Sequence, residues 1–162
     1  EDQLDAWWDQ VKEDVNEPQK IIIGSDRENP STLTACDWLD VFVDQQPQVS
    51  RGTRKISYWC LDVARAGDYE IELRRWPKET DSPIAGKCTM MDRRGNIGGT
   101  ALPIISASSY IGEKELRSIS EKTPYGFEGL TKEVNQEDKH ITFNVHLDPG
   151  PVYLHTFFEI SG

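Results

Sequence analysis

The chain has 162 residues, 36% of them apolar, enough for one ordinary domain with a hydrophobic core and too few for a second. Acidic residues outnumber basic ones 28 to 18, giving a formal charge of −10, and a surface of that sign repels nucleic acid and anionic membranes. No run approaches the ~20 apolar residues of a membrane span, and the acidic start lacks the basic and apolar regions of a signal peptide, so the expectation is a soluble chain, mature or excised.

From Glu1 to Val15, the residues Leu4, Trp7, Trp8, Val11 and Val15 recur at helical spacing among acids and Lys12. That pattern predicts an amphipathic helix which must lay two tryptophans on something. Asn16-Glu17-Pro18 stops it, because proline biases the residue before it out of the helical region. Residues 1–17 therefore read as a helical element and 18–162 as the body.

From Lys20 onward the apolar period changes to two. It begins at Ile21-Ile22-Ile23, before a loop, Gly24 to Pro30, dense in turn formers. Further strands are expected at Thr32–Val43, Ile56–Val63, Tyr69–Trp76, Leu102–Ile111, Leu116–Ser120, His140–Leu147 and Val152–Ile160. Frequent β-branched and aromatic residues with turns between them predict a mainly β fold. The fold class expected is an antiparallel β-sandwich or jelly-roll-like domain with an N-terminal amphipathic helix.

Two hairpins follow from the alternation. Arg65-Ala66-Gly67-Asp68 is expected to turn Tyr58–Val63 back onto Tyr69–Leu73. Asp148-Pro149-Gly150-Pro151 is expected to pair Leu147 with Val152, Val145 with Leu154 and Ile141 with Phe158. Glu79–Thr100 and Glu121–Lys139 lack sustained periodicity and read as long loops, which on a β scaffold often carry function.

Three cysteines, Cys36, Cys60 and Cys88, cannot all pair within the chain. They form no Cys-x-x-Cys or Cys/His cluster of the zinc kind, so buried free thiols are expected, with one disulfide left open for an oxidising compartment. No metal site is expected. Asp26, Glu28 and Asn29 lie close enough to offer oxygens to calcium, but their spacing reads as a capped turn. His146 and His155 fall on one polar face of the expected last hairpin, beside Tyr153 and Phe157, where a loop or second domain would explain the aromatic side chains.

The densest polar and aromatic cluster runs from Leu73 to Glu79. Arg74, Arg75, Trp76 and Glu79 would contact an anion or sugar through bidentate guanidinium bonds and a stacking indole, or else form an ion-paired strand end that holds a neighbouring loop or domain. Successive strand residues face opposite ways, so the two arginines do not serve one surface unless the strand bulges or ends there. Asp37 and Trp38 offer a second carboxylate and indole, read either as a sugar contact or as core. No Gly-x-Ser-x-Gly elbow, phosphate loop, His-Glu-x-x-His or Gly-x-Gly-x-x-Gly occurs, so no catalytic residues are assigned.

The string Tyr58 to Glu79, YWCLDVARAGDYEIELRRWPKE, resembles the segment near the C-terminus of many bacterial arylsulfatase-like proteins. Ile23-Gly24-Ser25-Asp26 with Asn29-Pro30, then Asp37-Trp38, Ala101-Leu102-Pro103-Ile104 and Leu154-His155-Thr156-Phe157-Phe158 look like the same region in the same order. The helix with Trp7-Trp8 is similar to the element that finishes the sulfatase core. The resemblance thus spans nearly the whole chain.

Members of that family place catalysis in a preceding domain, where the Cys or Ser of a Cys/Ser-x-Pro-x-Arg motif becomes formylglycine beside calcium. No cysteine or serine here has that proline and arginine. The resemblance therefore implies a non-catalytic C-terminal domain without cofactors of its own, calcium and formylglycine belonging to the catalytic domain. It implies a periplasmic or secreted parent that hydrolyses sulfate esters, with glycans as the expected substrates. The expected partner is that catalytic domain, met by Trp7, Trp8 and the Tyr153/Phe157 face, with neither nucleic acid nor membrane. The alternative is an independent carbohydrate-binding module that holds a sulfated glycan. A third reading, a stand-alone enzyme, requires turnover by this chain alone.

Overall fold

The computed structural model describes residues 2–12, 15, 17–39, 43, 45–88, 98–112 and 129–161. A helix, α1, spans Asp2–Val11, and a short one, α2, Gln46–Ser50. The strands are β1 Ile21–Ile23, β2 Tyr58–Val63, β3 Gly67–Leu73, β4 Ile104–Gly112, β5 Leu130–Glu133, β6 Ile141–Leu147 and β7 Gly150–Ile160. They form a five-stranded sheet in the order β1-β2-β7-β4-β5 and a two-stranded sheet of β3 and β6. The fold is mainly β and sandwich-like. Every pairing between these strands is antiparallel except β1 with β2, which a long connection joins in parallel.

Neither expected hairpin forms. Val63 of β2 pairs with Gly150 of β7, while Gly67 of β3 pairs with Leu147 of β6. Arg65–Asp68 and Asp148–Pro151 are therefore two adjacent arches that carry the chain from one sheet to the other. The true partners of Ile141, Val145 and Leu147 are Leu73, Tyr69 and Gly67. Val152, Leu154 and Phe158 instead meet Leu61, Trp59 and Ala107. The reason is geometric: two alternating strands that face each other across a sandwich present their apolar sides to a common core just as a hairpin does. Alternation fixes the buried face of each strand and leaves its ladder partner open. Gly150, at φ 128, supplies a backbone conformation at the second arch that other residues rarely adopt.

Between the sheets lie two apolar clusters. One gathers Ile84, Ile104, Ala107, Ile141 and Phe143, and the other Trp59, Leu61 and Leu154. Ile71 of β3 packs against both and joins them. Phe143 is fully buried, which alone is worth roughly 1.5–3 kcal/mol of transfer free energy.

The expected strand Thr32–Val43 is replaced, in its described part, by a helical turn at Ala35–Asp37. The Thr34 hydroxyl oxygen accepts from Cys36 N, and the Asp37 carboxylate accepts from Thr34 N at 2.8 Å and Thr34 Oγ1 at 2.9 Å. This reciprocal cap takes the backbone donor a ladder would need. The expected strand Leu116–Ser120 lies outside the described residues. β5 falls inside a stretch read as loop: all four of its residues are exposed, so it carries no alternation to detect.

Candidate functional site

β3 ends at Leu73, and the next two residues do turn to opposite sides. Arg74 continues the outward row of Glu70 and Glu72. Its Nε donates to Glu72 Oε1 at 2.5 Å, and its Nη2 lies 3.1 Å from Nδ1 of His140. The hydrogen bond from Arg74, aided by its charge, holds the Glu72 carboxyl below the usual range. Arg75 turns inward. It donates from Nη1 to Ile84 O at 3.2 Å and from Nη2 to Thr100 O at 2.6 Å, and its guanidinium lies 4.2 Å from the centre of the Trp76 ring. Burial pulls its pKa down to about 10.

Trp76 is only 6% exposed. A Cβ added at Gly99 would stand 1.7 Å from the far ring carbon of this indole, so the close approach of that strand of chain requires glycine. Cys88 N donates to Gly99 O at 3.1 Å and Leu102 N to Ala85 O at 3.0 Å. Arg75 and Trp76 thus clasp the segments around Ile84 and Thr100 to the end of β3. Two backbone carbonyls are satisfied by one charged side chain.

The residues expected to form one recognition surface do not converge. Arg74 belongs to the polar face of the small sheet, and Arg75 with Trp76 to the interior. Glu79 is exposed in a helical turn at Lys78–Thr80 and makes no ion pair among the described residues. Asp37 is committed to Thr34, as above. Trp38 packs edge-on against Trp59 at 5.6 Å within the core, and Trp59 Nε1 donates to Thr34 O at 2.9 Å. Both indoles therefore pack on the core, Trp59 buried and Trp38 partly so.

The outer face of the five-stranded sheet is aromatic. His155 of β7 lies between Tyr58 of β2 and Tyr110 of β4 in register, and all three are buried. Tyr153 meets Tyr58 edge-on at 5.6 Å, and Phe157 stacks on Tyr110 at 5.6 Å. Tyr153 and Phe157 are half-buried there, and the chain at Gly129 lies against the Tyr110 ring. Burial lowers the pKa of His155 to about 4. His146 is not on this face: it is exposed on the small sheet, 2.8 Å from Asp68, whose hydrogen bond raises its pKa. The shared histidine face disappears because β6 and β7 belong to different sheets.

Asp26, placed with Glu28 and Asn29 as oxygen donors, is bound by Arg65, which lowers its pKa, and Ser25 bridges Glu28 across an ordinary turn. Among the described residues no three His, Cys, Asp or Glu side chains are grouped to hold a metal ion. None of the three cysteines is in a disulfide. Cys60 and Cys88 are buried, whereas Cys36 is exposed, because it stands in the helical turn that replaces the expected strand.

Helix α1 differs from everything above. Leu4 is 65% exposed, Trp7 54% and Trp8 48%. The two indoles lie 6.4 Å apart, with Lys12 tied to Asp9 at 2.8 Å one turn on. Sequence reasoning missed the Glu72, Arg74 and His140 group, whose only signal is the β3 to β6 register. Comparison of the chain with protein-family models, characterised proteins and solved structures gave no match.

Proposed function

We propose that the chain is a non-catalytic accessory domain of a sulfatase-type hydrolase acting outside the cytoplasm, docked on the catalytic core through α1. The exposed Leu4, Trp7 and Trp8 carry this reading. A helix of 10 residues is marginal in water without tertiary packing, and an apolar stripe with two indoles is the kind of face that packing buries. The resemblance of the Tyr58–Glu79 string and its companions supports the choice of parent. Sulfate ester hydrolysis, formylglycine and calcium then belong to the catalytic domain, and this chain contributes a rigid body at its side.

The test uses the isolated chain. Dye binding to exposed apolar surface and sedimentation velocity are measured for the natural chain and for Trp7→Ser/Trp8→Ser, alongside titration with sulfated and unsulfated oligosaccharides at low and raised salt. The accessory reading expects dye binding and self-association that the double substitution removes, without affinity for any sugar. A monomeric chain that binds no dye, yet holds a sulfated sugar in a salt-sensitive way, would overturn it in favour of a carbohydrate-binding module built around Arg74.

A further inference from the structure

The two-stranded sheet has two edges, and the molecule treats them differently. On β6, Lys132 reaches across from β5 and donates from Nζ to Thr142 O at 2.6 Å, its ammonium 5.7 Å from the centre of the Phe143 ring. A lysine brought in this way occupies a backbone acceptor and stands where an added strand would lie, a recognised protection against edge pairing. Among the described residues β3 has no such guard: its ladder runs only to β6, and no other backbone bond is made by Asp68 to Leu73. Alternate N–H and C=O groups along this strand therefore face outward, ready for a ladder.

The side chains of β3 specify what would fit. Asp68, Glu70 and Glu72 point to solvent, while Tyr69, Ile71 and Leu73 are half-buried. Asp68 is answered by His146 and Glu72 by Arg74. Glu70, at the centre, stands opposite Asn144 and makes no ion pair among the described residues. A strand laid beside β3 brings alternate side chains against this acidic row, where opposite charges stabilise and like charges do not. A second copy of β3 would set acid against acid.

We propose that the free edge of β3 is a docking site for an extended segment of another protein with basic residues at alternate positions and apolar ones between them. Main-chain bonds supply the affinity of such strand addition, and the alternate side chains its selectivity. The formal charge of −10 draws a basic segment in from a distance.

The probe is a synthetic peptide of alternating lysine and valine as long as β3, titrated into the whole chain while amide hydrogen exchange is followed residue by residue. The expected result is slowed exchange at alternate β3 amides. Methylating the peptide's backbone nitrogens should abolish it, and the Glu-Val counterpart should not produce it. Glu70→Lys should weaken the lysine peptide roughly five- to tenfold, and Glu70→Gln by less, with the fold intact because the residue is exposed. Protection at β1 or β5 instead of β3, equal protection by the acidic peptide, survival after methylation, or β3 protection by a second copy of the chain alone would each overturn the proposal.

Discussion

Trp76 and Trp7 are the same side chain in opposite circumstances. Trp76 lies under Arg75 and against Gly99 at the end of β3, almost wholly out of water, whereas Trp7 is more than half exposed on α1. The sandwich body is built of elements that cover each other twice over, through the ladder and through the facing sheet. The helix has periodicity without cover. An apolar stripe states what a segment must bury; only the neighbours decide whether it is buried in this chain or against another.

The contrast breaks most visibly at the clasp. Trp76→Ala is expected to cost about 3–5 kcal/mol, through lost transfer energy and a cavity that Gly99 is too small to fill. The indole N–H has no hydrogen-bond partner among the described residues, so Trp76→Phe forfeits none of the bonds described and should cost only roughly 1–2 kcal/mol. Urea denaturation of both variants checks this. Equal losses would mean that the nitrogen matters and that the packing account of the clasp is wrong.

The body can next be probed through pH. His155 titrates at about 4 in the folded chain against an ordinary value of 6.5, so between these values the unfolded state binds the proton and the folded state does not. Stability therefore falls as pH drops from 6.5, by roughly 3 kcal/mol in full. Asp26 and Glu72 are held below their usual values, so what they contribute is lost only at lower pH, below about 4.5. His146 works in the other sense: its raised pKa gives a contribution present below 6.5 and lost as pH rises through the folded value. Urea midpoints measured from pH 6.5 to 4.5 should slope downward for the natural chain and run flat for His155→Gln. A slope unchanged by the substitution would show that carboxylates, and not the buried imidazole, govern the acid limb.

The same division separates what the sequence discloses from what it hides. β3 and β6 were legible because each alternates between a more buried and a more exposed side, and the opposed faces of Arg74 and Arg75 follow from the same pleat. Ladder partners were not legible. The strands flanking Arg65–Asp68 and Asp148–Pro151 look alike whether they pair or face each other, and the difference rests on contacts far apart in the chain, such as Tyr58 with His155. Thr34 and Asp37 concealed a helical turn inside an apparent strand, through bonds that period counting ignores. The burial of Trp76 depends on Gly99 and Thr100, more than twenty residues away across a segment with no periodicity of its own. A candidate site assembled from neighbours in sequence therefore came apart in space.

The smallest expected effect sharpens the comparison from the other side. If α1 packs on nothing in this chain, Trp7→Ser/Trp8→Ser should shift the unfolding free energy of the body by no more than about 0.5 kcal/mol, the ordinary range for exposed positions. Helix content, followed by circular dichroism before the body unfolds, should instead fall, because serine is a poorer partner for the i,i+3 and i,i+4 contacts that support a short helix. A stability loss comparable to that of Trp76→Ala would place the two indoles against the sandwich in solution, and the surface assigned to a catalytic partner would then already be occupied by the domain itself.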